Sequence, residues 1–366
     1  MDRIISSDRP GRPSGHNSTQ EPHPILFDCA DAASVVAAAL GGLSAVIVVA
    51  DSTVVRLFPG FGDVLRSGLD MPVLVSEFEP GERAKTMDTV VGCCRAMAAG
   101  RFDRQCAVVG FGGGVATDLA GMISALWMRG VKLIQVPTSL LAMADAAIGG
   151  KAAVNIPEGR NLVGAVKMPD LAVIAPSFLA TLPLPERISG LVEIVKTGFV
   201  GDPDLVSEFD SMPAEVDIDW LAGVARRAAT TKMDIVSVDP GDSGIRLLLN
   251  FGHTVGHAIE SVSRYSIGHG IAVAAGMVAE SAIGRSMGLV DEIEHRRLVE
   301  ILNRVGVPPR PAVQPADLLQ WMLRDKKNRE GGIRIALPAN DHRIPSMKSF
   351  TTVAVSERQF LECWDD

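Results

Sequence analysis

Cysteine is scarce in this chain of 366 residues, and the five present (Cys29, Cys93, Cys94, Cys106 and Cys363) form no CxxC pair. An odd count without that spacing argues against a disulfide scaffold and a thiolate zinc site, and leaves reduced, buried thiols. No run of eighteen apolar residues occurs, so a membrane-spanning helix is not expected. Residues 1–24 lack the apolar stretch of a signal peptide and read as a disordered leader, which places the protein in the cytoplasm. Positive charge is in deficit: 35 Lys and Arg face 43 Asp and Glu, a formal net charge of −8. That balance argues against nucleic acid or an anionic membrane as main partner, and an anionic ligand must be met by bases clustered locally. Internal repeats and low-complexity tracts are absent too.

What is present is a hydrophobic fraction of 47%, enough in a chain of this length to fill the cores of two domains. From Ile25 to about Leu182, short β-rich runs alternate with helical stretches, the pattern of βαβ units on a parallel sheet. Strands are expected at 45–50, 73–76, 107–110, 132–136 and 171–174. Beyond the two prolines of Thr181–Glu186 helical periodicity takes over, which divides an α/β domain over 25–183 from an all-α domain over 184–366. In the second domain the spacing predicts helices over 220–237, 244–263, 270–287 and 292–305.

Two stretches carry chemistry. In GFGGGVATDLAG, a strand runs into Gly110, Gly112, Gly113 and Gly114 and then into a helix near Val115. Such a turn lets backbone N–H groups approach a pyrophosphate at a helix N-terminus, although the usual GxGxxG spacing is not met. A plain tight turn is the competing explanation. Asp51, at the end of VIVVA, suits either a ribose hydroxyl or a helix cap. Downstream, Arg129, Lys151, Asn155 and Arg160 lie in glycine-punctuated loops, where several donors could converge on phosphate or carboxylate.

The stretch Leu247–Met277 holds three of the seven histidines. His253 and His257 are four apart on an apolar helical pattern and share a face, and His269 opens a second helix after a turn. Imidazoles converging from two helix ends suit a divalent metal, with a carboxylate still needed; a structural histidine pair is the plainer alternative. The acid can come from Glu193, which stands three residues before Lys196 on an apolar helix and could equally be a surface ion pair. Thr254 follows His253 where zinc proteases carry Glu, which weakens a protease reading.

Taken together, GGGVxxDLAG, MRGxxxIQVPTSLLAMxDxxIGGKxxVN, GRNLVG, LxExxK, GxRxLLNFGHTxGHAxE, HGxAVAxGM and DKK, in that order over roughly residues 45–340, resemble 3-dehydroquinate synthase and its relatives, the sugar phosphate cyclases. The resemblance implies a homodimer with a Rossmann-like NAD-binding α/β domain, a helical metal-binding domain and an active site in the cleft between them. It implies Zn²⁺ or Co²⁺ on Glu193, His253 and His269, with His257 among the residues that touch a small anionic sugar phosphate. Arg129, Asp145, Lys151, Asn155, Lys196, Lys232, Arg246, Asn250 and Lys326 match its substrate-binding positions. NAD would be met by Asp51, Glu82, Lys85, Gly113, Gly114, Val115, Asp118, Thr138, Ser139, Thr181 and Leu182, with Arg160 where the family commonly has Lys.

Several residues depart from the family pattern. Thr117 replaces a glycine beside the pyrophosphate turn, adding bulk where the cofactor should pass. Ile271 replaces a Glu after His-Gly, removing an acid beside a metal ligand. Val166, Lys167, Ala175, Pro240 and Asp242 also differ. The expected reaction turns 3-deoxy-D-arabino-heptulosonate 7-phosphate into 3-dehydroquinate. The alternatives are a secondary-metabolism cyclase making an aminodehydroquinate, valiolone-type or 2-deoxy-scyllo-inosose product, an iron-type alcohol or glycerol dehydrogenase, and a binding protein without activity.

Overall fold

The computed structural model describes residues 3–5, 23–308, 311–323, 332–338 and 352–364. Contacts divide the chain into two compact units, one of residues 1–183 with 217–229 and one of 184–216 with 230–366. The segment 217–229, read from sequence as part of the helical domain, makes its contacts with the first unit.

Seven strands form the sheet of the first unit: β1 (Arg3–Ile5), β2 (Ile25–Phe27), β3 (Val46–Asp51), β4 (Val73–Phe78), β5 (Ala107–Gly112), β6 (Lys132–Pro137) and, after a hairpin, β9 (Leu171–Val173). Their order is β1-β2-β9-β6-β5-β3-β4, and every pairing except β1 with β2 is parallel. All five expected strands are present, because a parallel sheet covered on both faces needs apolar residues at every position of its inner strands. Val46–Ala50 and Ala107–Gly112 are accordingly buried throughout. Within the expected leader, Arg3–Ile5 pair with β2, and 6–22 lie outside the described residues.

A separate antiparallel hairpin, β7 (Lys151–Ile156) with β8 (Gly159–Val166), packs on the helix Gly114–Leu126. The core gathers Ile47, Val49, Val108, Leu119, Ile123 and Leu133 with Val154 of the hairpin.

Among the described residues the second unit is helical except for an antiparallel ribbon, β10 (Ile333–Ala336) with β11 (Thr352–Val355). Its helices include Leu184–Gly201, His253–Val262, His269–Ser286 and Glu292–Val305. The last is capped by Asp291, which accepts from the Ile293 amide, and ended by Gly306 at φ +89°. Val255, Ile259, Ala272, Ala279 and Ile283 pack with Leu318, Ile335 and Phe360 to make its core. Among the described residues no helix is long and apolar enough to cross a membrane.

Candidate metal centre and glycine turn

The expected helix over 244–263 is broken. A 3₁₀ turn, Ile245–Asn250, is followed by Phe251 and by Gly252 at φ +77°, and only then does the helix begin at His253. The break has a physical cause. A Cβ on Gly276 would lie 2.0 Å from the Gly252 carbonyl oxygen, and one on Gly256 would lie 3.1 Å from that of Ala272. Glycines on both helices thus let the two backbones touch. The fully buried Glu280 then accepts the Gly252 amide at 2.8 Å and those of Thr254 and Val255 at 3.1 Å. It satisfies donors that the helix start leaves without partners.

This crossing sets the imidazole rings of His253 and His269 5.6 Å apart and those of His253 and His257 5.3 Å apart. Into the same space the helix Leu184–Gly201 projects Glu193, a carboxylate 1% exposed. Its Oε1 is 3.1 Å from His269 Nε2 and 3.5 Å from His253 Nε2, and its Oε2 is 2.5 Å from Lys196 Nζ. One ligand atom each from Glu193, His253 and His269 lie within 4.8 Å of one another. The opposite ring nitrogens are also engaged: His253 Nδ1 with the Phe251 carbonyl and His269 Nδ1 with Glu260 Oε1, both at 3.2 Å.

The electrostatics suit a cation. Burial alone would raise the Glu193 pKa, but the Lys196 ammonium and the two histidines hold its carboxyl ionised well below the usual range. Burial alone would discharge His269, yet hydrogen bonds and charge from Glu193 and Glu260 push its pKa up to about 10. The potential that holds a proton on that ring is one a divalent metal would also feel. Three converging N and O donors, two of them with Nε2 turned inward, fit zinc or cobalt.

Other predicted residues of this unit lie close in the chain. Arg246 and Asn250 stand on the 3₁₀ turn before His253, and Lys232 is nearly buried on the helix Ile218–Val238. Asp239 shapes that turn, its carboxylate accepting the amides of Ser243, Gly244 and Arg246. Pro240 contributes its carbonyl to Arg246 Nη1 at 3.2 Å, so this departure from the family pattern still serves the arginine. Lys326 lies outside the described residues.

In the first unit, the helix Gly114–Leu126 starts on Gly113, which has no side chain to cap it, at the carboxyl end of β5. Pro137 ends β6 beside Gly112, and the Thr138 amide donates to the Gly112 carbonyl at 2.9 Å. Ser139 Oγ would be 3.4 Å from a Cβ on Gly113, and Asp51 Oδ2 3.7 Å from one on Gly112. Asp51, Gly112, Gly113, Thr138 and Ser139 therefore meet at the carboxyl edge of the sheet, where parallel α/β folds take their ligands. The uncapped amides of Gly114 and Val115 fit a pyrophosphate there. Asp51 also caps its own helix, accepting the Thr53 and Val54 amides at 2.9 Å, so the two readings of that residue are compatible. Thr117 does not stand in the open turn. It is 2% exposed, and its hydroxyl donates back to the Gly114 carbonyl at 2.9 Å.

Glu82, Lys85, Asp118, Asn155 and Arg160 form one network around Asn161, a residue not singled out in the sequence. Lys85 Nζ pairs with Asp118 and donates to Asn161 Oδ1 at 2.7 Å; the Asn161 amide donates to Asn155 Oδ1 at 3.1 Å. Asn155 in turn donates to Glu82 Oε2 at 2.8 Å, and Arg160 pairs with Glu82. Burial raises the Asp118 pKa against the pull of Lys85. Burial would do the same to Glu82, but Lys85 and Arg160 bring it below the ordinary value. Asp145 lies on a single π turn, Ala142–Ala146, and Lys151 is exposed at the start of β7. Thr181 and Leu182 close the 3₁₀ turn after β9. Arg129 is not brought to the glycine turn. It is exposed at φ +70° just before β6, at the amino edge, a helix length of about 20 Å from Gly114.

Comparison with known proteins agrees with this geometry. A family model described as 3-dehydroquinate synthase N-terminal matches residues 75–189, and one described as 3-dehydroquinate synthase C-terminal matches 190–328. A 3-dehydroquinate synthase of Corynebacterium jeikeium is 42% identical over 264 residues, 71% of this chain and 72% of that protein. The structure of 2-epi-5-epi-valiolone synthase from Streptomyces hygroscopicus with NAD+ and Zn2+ bound aligns at TM-score 0.80 and 26% identity, covering 96% of this chain and 98% of that one. A 2-deoxy-scyllo-inosose synthase complexed with carbaglucose-6-phosphate, NAD+ and Co2+ shares the fold at TM-score 0.84 and 23% identity, over 100% and 99% of the two chains. With both family models matched in order across the glycine turn and across Glu193, His253 and His269, this chain belongs to the 3-dehydroquinate synthase family.

Proposed function

We propose that this chain is a 3-dehydroquinate synthase, converting 3-deoxy-D-arabino-heptulosonate 7-phosphate to 3-dehydroquinate with release of phosphate, as a cytoplasmic homodimer. The observation that carries this reading is the buried Glu193 carboxyl group set among His253, His269 and Lys196, in a chain with the family's sequence. Glu193, His253 and His269 would hold Zn²⁺ or Co²⁺, and the Gly112–Gly114 turn with Thr138 and Ser139 would hold NAD. Bound there, the two supply reversible oxidation of a ring hydroxyl and polarisation of the resulting ketone, which acidifies the neighbouring C–H for phosphate loss.

The side chains do the rest. Lys196 keeps Glu193 ionised, and its ammonium can also orient a substrate hydroxyl or ketone oxygen. His257, beside both ligand histidines, is the group in reach for moving a proton. Arg246, Lys151 and Lys232 supply positive charge for the substrate's carboxylate and phosphate, needed in a chain that is negative overall. The position of Arg129 at the amino edge supports the dimer, since a second copy could present it to a site its own turn does not face.

The test is incubation with NAD⁺, Zn²⁺ or Co²⁺ and a panel of sugar phosphates. Stoichiometric phosphate and 3-dehydroquinate from the heptulosonate, without accumulation of NADH, is the expected result. A different carbocycle from a carboxylate-free sugar would reassign the substrate; NADH accumulating from a simple alcohol would replace the cyclase reading with a dehydrogenase.

A further inference from the structure

Glu260 is a buried acid that the ligand motif leaves without a role. It is 2% exposed, on the helix His253–Val262, seven residues after His253 and three after His257. A carboxylate at that depth is costly unless positive charge or N–H donors face it. Its Oε1 lies 3.2 Å from His269 Nδ1, and His269 Nε2 points at Glu193. The two turns of helix between His253 and Glu260 and the loop before His269 place it behind one metal ligand while the same helix supplies another.

We infer that Glu260 is the positioning residue of the metal centre, accepting the Nδ1 proton of His269 so that the Nε2 lone pair faces the cation. The inference rests on the metal reading proposed above and adds the group that makes it directional. An imidazole has two tautomers, and only the one with hydrogen on Nδ1 offers Nε2 as a ligand; a carboxylate on Nδ1 selects it and makes the ring a stronger donor. His253 has the weaker partner, a backbone carbonyl at Phe251. The two histidines are therefore unequal, His269 the more dependent on its partner. The second carboxylate also raises the negative charge around the cation, since Glu193 alone is offset by Lys196.

The test is zinc affinity by competition with a chromophoric chelator, on the metal-free full chain and on Glu260→Gln, Glu260→Ala and Glu260→Asp. Glu260→Ala should weaken zinc by about 10- to 100-fold. Glu260→Gln, which keeps an acceptor and the volume but loses the charge, should fall between it and the wild type. With Co²⁺ in place of zinc, the visible ligand-field bands of Glu260→Ala should shift, while those of a surface variant such as Glu300→Ala stay put. Thermal unfolding of the metal-free variants separates lost ligand orientation from lost fold, and Glu260→Gln preserves the packing. Unchanged zinc affinity and cobalt spectrum in both Glu260→Gln and Glu260→Ala would overturn the inference while leaving the metal site standing. A wild-type chain that takes up no stoichiometric metal would remove the site itself, and the inference with it.

Discussion

Replacing Glu280 by Gln should loosen the whole metal centre through the start of the helix that carries His253. Its two oxygens accept three amides at the start of the helix that carries His253, and it is fully buried. In the amide, one oxygen can still serve Thr254 and Val255, but the NH₂ group then faces the Gly252 amide, donor against donor. At least one bond to a charged acceptor is lost, about 1.5–3 kcal/mol. Loss of the negative charge at a helix N-terminus costs up to about 2 kcal/mol more in a buried setting. Against this, a neutral side chain is easier to bury than an ionised one, which offsets part of the penalty. The net cost is about 2–4 kcal/mol, and in a unit of this size each kcal/mol moves Tm by roughly 2–4 °C.

The assay is thermal unfolding of the metal-free chain followed by hydrogen exchange on peptides spanning 250–262. Tm should fall by roughly 5–15 °C, and exchange at 252–255 should speed up before exchange elsewhere in the unit. Because His253 is the first residue of that helix, zinc should also bind more weakly. A Tm within 2 °C of wild type, with exchange at 252–255 unchanged, would show that the three amides do not depend on this carboxylate, and the account of how His253 is placed would have to be abandoned.

Two further substitutions test the same architecture. Gly276→Ala puts a methyl group where backbone atoms lie 2.0 and 2.9 Å away and should cost about 1–3 kcal/mol with weaker metal retention; Gly223→Ala, mid-helix with nothing within 4 Å, should raise Tm instead. A calorimetric scan in which both variants shift in the same direction would contradict the close crossing. Burial works against ionised Asp239, but the amides of Ser243, Gly244 and Arg246 hold its pKa below the ordinary value. A depressed acid stabilises the fold above its unfolded pKa of about 3.9 and loses that contribution as pH falls through the folded value. The Tm gap between wild type and Asp239→Asn should therefore be wider at neutral pH than near pH 3, and an equal gap at both would refute the assignment.

The parallel sheet and the shared helical face of His253 and His257 were legible in the sequence because each follows from a short-range pattern, whereas Glu193 was assigned to the metal only through the family resemblance. Val46–Ala50 and Ala107–Gly112 declare buried strands by unbroken apolar composition, and His253 with His257 declares a helical face by its spacing. The hairpin β7–β8 was not legible. Half of β8 is exposed, so its residues carry no single period, and its register depends on Asn155 meeting Glu82 and Asn161. The break at Gly252 was hidden for a related reason. An apolar run through Leu247–Val262 reads as one helix, and only the second helix, arriving at backbone distance, makes the left-handed glycine necessary.

Glu260 and Glu280 show why ligand motifs stop short of a site. A lone glutamate in a helix has the composition of a surface residue, and nothing within a turn of it reveals which amide or imidazole it will meet. Gly276 and Glu280 are four apart, hence on one face of the helix His269–Ser286. The first makes room for the Gly252 carbonyl and the second takes the Gly252 amide. The backbone of one residue, Gly252, is thus held at both its amide and its carbonyl by a single helix face, and that same helix begins with His269. The distance between His253 and His269 is consequently a property of helix packing. Altering Gly276 or Glu280 should change metal affinity with every ligand atom still in the chain.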